Sequence, residues 1–292
     1  MDDVAGWPRA FRGSAAVAAG LVTWDLLQGP QFLRLFPDTY VTIPEAMPPD
    51  LTLRSHAAFR YVEGIGVLSG YSAAEILGAS CGPWDAPAEV TVPHRGQRPT
   101  PGLLVHRTQL APGESADVQG VRVTSPMRTA YDLARRGELV ERVVAVDRLA
   151  NVHSFFPDVL LHFAARNTGA RGNRDIARVL AHADRRSGSP AETRLRMLIV
   201  LAGLPRPEVQ WVVQDERNRT AVWLDLAWPE QMIAVEYEGA DHTAPDRVLR
   251  DVGRYTSLVD DGWRIYRYTK FEIRRRSGLI IGQLMRALER AR

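Results

Sequence analysis

The stretch VWLDLAWPEQMIAVEYEGADH, residues 222–242, decides how this chain is read. Its apolar runs predict two buried strands joined by a two-residue turn at Pro229–Glu230. Asp225, Glu236 and Glu238 nevertheless stand inside those strands, and His242 follows just beyond. Burying a lone carboxylate costs several kcal/mol, so the acids need a reason. Two readings supply one: a solvated sheet face, or a site that holds a metal ion.

Outward from this stretch the order of elements is plain. Residues 189–203 (SPAETRLRMLIVLAG) predict a helix, and residues 209–214 (VQWVVQ) and 220–228 (TAVWLDLAW) predict strands. Residues 232–239 predict a third strand, 245–262 a helix, 263–269 (WRIYRYT) a strand and 278–290 a final helix. That α-β-β-β-α-β-α order, with strands apolar on both faces, predicts an α/β domain whose central mixed sheet is flanked by helices. Ser189, Pro190 and Glu192 form a capping-box pattern with proline at the first helical position. Glu192 is therefore a cap, an acid aimed into a cleft, or both.

An antiparallel pairing about the turn brings the Asp225 and Glu236 side chains near each other, and alternation puts Glu236 and Glu238 on one face with Tyr237 opposite. Clustered carboxylates raise one another's pKa values, and a hard divalent cation such as Mg²⁺ (or Mn²⁺) removes that penalty. The chemistry this permits is metal-assisted phosphodiester hydrolysis. His242 at the edge is either an ordinary polar residue after a turn or a group that donates to the phosphate or moves a proton. Asp251 either pairs with Arg247, Arg250 or Arg254 or supports the site. Arg250 and Arg254 share a helix face, which is a hold for backbone phosphates or a solvated surface.

At these motifs the chain resembles the DUF559 branch of the Vsr-like endonucleases, in the restriction-endonuclease-like superfamily with the motif PD-(D/E)xK. The resemblance spans about residues 189–290 and rests on SPAETRLR, LDLAWPE, IAVEYEG, His242, RDVGRY and GWRIYRYT. It implies DNA as substrate, Mg²⁺ as cofactor, Asp225 as the motif's D and Glu236 as its (D/E). It also implies Glu192 as the acid from the first helix, with His242 and Asp251 in support. Glu238 stands where the superfamily has its lysine, a position where this branch more often carries aspartate.

The front of the chain reads differently. Residues 15–27 predict a short helix, and 32–44 a turn into a strand. The two short strands over 88–93 and 103–108 read as a hairpin-like arrangement, and 118–126 as a third strand leading into a helix. RRSGSP, residues 185–190, is the clearest linker, so the boundary is expected near residue 185: a region 1–185 and a domain 186–292. AAGLVTWDLLQGPQFLRLFPDTYVTIP, GVLSGYSAAEILG and VQGVRVTSPMRTAYDLAR resemble AbiEi-type antitoxin-like proteins, the first stretch matching their degenerate winged helix. This resemblance implies a winged-helix-like α+β region and an alternative function, a non-catalytic DNA-binding regulator with a toxin partner.

Composition narrows the field. Apolar residues are 45% and charged residues 24%, ordinary for a globular protein. No apolar run is long enough to span a membrane, and the acidic start lacks the basic head of a signal peptide, so a cytoplasmic protein is expected. Cys81 is the single cysteine, which excludes an internal disulfide and cysteine-rich metal sites. The net charge of +3 is mild, but from His242 onward 12 basic residues face 6 acids, a pointer to a polyanionic partner. Lys270 is the one lysine among 37 basic residues. Nucleotide-binding glycine loops, HExxH and a serine-nucleophile turn are all missing from the sequence.

Overall fold

The computed structural model describes residues 8–42, 48–94, 100–215, 220–239, 256 and 258–291. It is an α/β protein with mixed β-sheets flanked by helices, divided into two compact units. The first comprises residues 1–137 and 152–176, the second residues 138–151 and 177–292. Among the described residues no helix is long and apolar enough to cross a membrane.

In the first unit, β1 (Ala10–Arg12), α1 (Gly13–Ala18), β2 (Phe32–Phe36) and β3 (Thr39–Thr42) build a three-stranded antiparallel sheet in the order β1-β3-β2. Phe11, Phe32 and Tyr40 close over Ala16, Val22 and Leu27 to give it a small core. Next come α2 (Leu51–Val62), β4 (Val67–Leu68), α3 (Gly70–Ile76), β5 (Ala88–Val92), β6 (Leu103–Arg107), β7 (Ser115–Val118), β8 (Val121–Thr124) and α4 (Pro126–Ala134). Their five strands run β6-β5-β4-β8-β7. The hairpin expected over 88–93 and 103–108 is corrected here: β5 and β6 are parallel, with Val90 opposite Val105. The antiparallel partner of β5 is β4, on its other edge, which leaves β5 buried along its whole length. Alternation marks a strand but carries no information about its direction.

Three helices follow: α5 (Leu139–Val152), α6 (Val159–Arg166) and α7 (Ile176–Leu180). All of α5 up to Asn151 belongs to the second unit, although it precedes the expected boundary at residue 185. A buried ion pair joins it to α8. Asp147 and Arg196 are both fully buried, with Arg196 Nη2 2.6 Å from Asp147 Oδ2. Asp147 also accepts from Thr193 Oγ1 at 2.9 Å and from the Asp184 amide at 2.7 Å. Nearby, Arg194 grips Glu141 through two bonds of 2.8 and 2.7 Å.

The rest of the second unit contains α8 (Pro190–Leu201), β9 (Glu208–Asp215), β10 (Thr220–Trp228), β11 (Ile233–Glu238), β12 (Arg264–Thr269), α9 (Lys270–Arg275) and α10 (Ser277–Glu289). The sheet order is β12-β11-β10-β9: an antiparallel meander from β9 to β11, then β12 parallel to β11. One face packs Leu226, Trp228, Ile233 and Val235 against Leu195 and Ile199 of α8 and Leu284 of α10. The other packs Val222, Leu224 and Ala234 against Leu258 and Trp263. The turn after β10 needs four residues rather than two. Pro229–Gln231 make a 3₁₀ turn, and Met232 takes a left-handed φ of 52° before pairing resumes at Ile233. Helix α9 was not expected. Its capping box, Thr269 with Glu272, is written in the sequence as TKFE.

Candidate functional site

The site begins with an irregularity in the sheet. Residues two apart in a strand share a face, yet Leu224 and Leu226 pack in opposite cores. Strand β9 breaks at the same level, since Val209 and Val213 also lie on opposite sides. Pairing holds at Leu224–Trp211 and at Leu226–Val209. The pleat therefore reverses at the facing residues between them, Asp225 and Gln210, and Gln210 has a left-handed φ of 52°.

This reversal turns two polar side chains toward each other. Gln210 Nε2 donates to Asp225 Oδ1 at 3.3 Å and to Glu192 Oε2 at 3.0 Å. One amide nitrogen thus holds a carboxylate from the helix and another from the sheet. On the far side of Asp225 the β10–β11 ladder ends at Leu226–Val235. Asp225 Oδ2 then takes the Tyr237 amide at 2.9 Å. Glu236, the residue before it, is 7% exposed.

Glu192 is held from its own helix end. Ser189 Oγ caps α8 by accepting the Glu192 amide at 3.2 Å. The reciprocal half of the expected capping box is displaced by one residue, because Glu192 Oε2 accepts from the Gly188 amide at 2.9 Å. Burial, followed by the negative charge of Asp225, holds the Glu192 carboxyl above its usual pKa.

The structure therefore brings Glu192 and Asp225 together around Gln210, with Glu236 on the adjoining strand. Glu238 is half-exposed, 3.9 Å from Arg267. His242, Arg250, Asp251 and Arg254 lie outside the described residues. Among the described residues, no group of three or more His, Cys, Asp or Glu is arranged to hold a metal ion. By donor chemistry Asp225 and Glu236 suit a hard cation, since both offer only oxygen. Two residues escaped the reading of the sequence: Gln210, and the Tyr237 amide. Gln210 looks like any polar residue in VQWVVQ, and only the pairing register reveals its place opposite Asp225.

No family model matches the chain. An uncharacterized protein of Mycobacterium tuberculosis (strain ATCC 25618 / H37Rv), Rv2248, is 30% identical over 255 residues, which is 85% of this chain and 90% of that protein. The chain belongs to the Rv2248 family. The uncharacterized protein MT2308 of strain CDC 1551 / Oshkosh matches this Rv2248-family chain with the same identity and coverage. The crystal structure of the RV2827C protein from Mycobacterium tuberculosis aligns at 16% identity and a TM-score of 0.40, over 73% of this chain and 86% of that one.

Proposed function

We propose that this chain is a cytoplasmic, metal-dependent DNA endonuclease, with a restriction-endonuclease-like second unit and a winged-helix-like N-terminal region that binds DNA. One observation carries the reading: Glu192 and Asp225, brought from a helix and a strand, share the Gln210 amide while Glu236 stands on the next strand. Like charges confined in a partly buried cleft favour a cation between them. Asp225 and Glu236 would hold Mg²⁺ or Mn²⁺. When bound, such an ion supplies Lewis-acid polarisation of a phosphate and a lowered pKa for water. Gln210 orients Asp225 and Glu192 together. Glu192, its pKa raised by burial and by the charge of Asp225, would complete the outer shell of the site. His242 and Asp251 are proposed in support, Glu238 at the rim, and Arg250 with Arg254 on backbone phosphates.

The test is to incubate the full chain with supercoiled plasmid and Mg²⁺ or Mn²⁺, beside Asp225→Ala and Glu236→Ala. Metal-dependent nicking that both substitutions abolish is the expected result. A second reading has its own observation. The Gln210 amide already gives both carboxylates a donor, so the cluster can be stable without an ion. That favours a non-catalytic DNA-binding regulator of the AbiEi antitoxin type, working with a toxin partner. DNA binding with no cleavage of any substrate, under either metal, would decide for it.

A further inference from the structure

Tyr237 connects the carboxylates to a cavity. Its amide donates to Asp225, and Tyr237 also lines a space of about 250 Å³ beside the first turn of α8. Pro190 and Ile273 give this cavity apolar walls, and Arg194, Lys270 and Arg274 bring positive charge to it. The three cations are not equivalent. Arg194 is committed to Glu141 through Nε and Nη2, whereas Lys270 and Arg274 stand exposed on α9. The run KFEIRRR, residues 270–276, carries four basic residues and one acid, and that acid, Glu272, serves the capping box. Beside Lys270, Phe271 is 60% exposed, with the Arg276 guanidinium 5.5 Å above its ring.

An aromatic side chain and apolar carbon inside, with cations at the rim, suit a single nucleotide: the base stacks and the phosphate meets the positive charge. The volume is below the usual span of small-molecule pockets, roughly 300–1,000 Å³, and it admits no double helix. We infer that this cavity receives one unstacked nucleotide of a single-stranded or locally opened DNA strand, its base against Tyr237 and its phosphate on Lys270 and Arg274. The inference rests on the nuclease reading for its purpose, because the bound nucleotide would present its neighbouring phosphodiester to Asp225 and Glu192. It extends that reading by naming the substrate class: unpaired rather than continuous duplex DNA.

Binding measured without metal separates the two ideas. Fluorescence anisotropy in EDTA, using the full chain, compares an oligonucleotide of about 16 nucleotides with the duplex of the same sequence. The N-terminal region offers the duplex a site of its own, so the readout is the affinity that each variant loses on each DNA. Lys270→Gln with Arg274→Gln should weaken binding of the single strand more than of the duplex and flatten the single-strand slope of log affinity against log salt by about 0.7, the share of one phosphate contact. Both positions are exposed, so the variant keeps its fold. Tyr237→Leu should weaken binding at least about fivefold with the slope unchanged. A double variant with the wild-type slope on the single strand, a double variant that loses as much affinity for the duplex as for the single strand, or a Tyr237→Leu variant with wild-type affinity overturns the inference. Failure to cleave either the plasmid or the single strand with Mg²⁺ or Mn²⁺, with these binding results intact, would remove the nuclease reading and leave the nucleotide site standing.

Discussion

Substituting Asp147→Asn tests what holds α5 to the second unit. Burial outweighs the pull of Arg196 and pushes the Asp147 pKa up to about 6. The pair therefore sits where desolvation exceeds attraction. Asparagine keeps one oxygen for the Asp184 amide, turns its amino group toward the Thr193 hydroxyl and leaves the Arg196 guanidinium buried without its counter-charge. Breaking a buried pair from one side costs about 3–5 kcal/mol, and for a unit of this size that lowers Tm by about 12–20 °C. Adding Arg196→Met removes the stranded charge, so the double variant should recover most of the loss. Differential scanning calorimetry of the full chain reads both variants, and pH adds a second readout. A carboxyl with a raised folded pKa binds its proton more tightly when folded, so its contribution to stability falls as pH rises from about 4 to about 6. The double variant should lack this component. A single variant within about 1 kcal/mol of wild type, or a double variant as unstable as the single, would refute the reasoning.

Two further outcomes follow from the same geometry. Glu192→Gln removes the repulsion with Asp225 while keeping an acceptor for the Gly188 amide. Wild-type stability should fall as pH rises above the ordinary glutamate range, the sign set by the raised pKa of Glu192. The variant should show a flatter profile in a pH series of urea melts. Thr269→Ala removes the cap of α9 and should cost about 0.5–2 kcal/mol, read as faster amide exchange in residues 270–275 with the β11–β12 pairing still protected.

How much of this was written in the sequence depends on the range of each signal. The cap at Ser189, the strand at 232–239 and the acids at 225 and 236 rest on neighbours a few residues apart, and their patterns are visible in one dimension. The turn at 229–232 was seen but made too short, because the left-handed Met232 leaves no mark in a residue type that seldom takes that conformation. The parallel β5–β6 pairing has no local signature, since a strand alternates the same way whichever way its neighbour runs.

The sequence alone marked α8, the strands β9 to β12 and α10, and that acids interrupt the apolar strands, because periodicity and capping act over one or two turns of chain; most of the helix expected over 245–262 lies outside the described residues. Only the tertiary structure decided that Gln210 joins Glu192 to Asp225, and that Asp147 meets Arg196 from 49 residues away. Those contacts depend on a pleat reversal and a helix docking. A polar group becomes a partner there because burial removes its water, and burial is a property of the packed chain rather than of any residue in it.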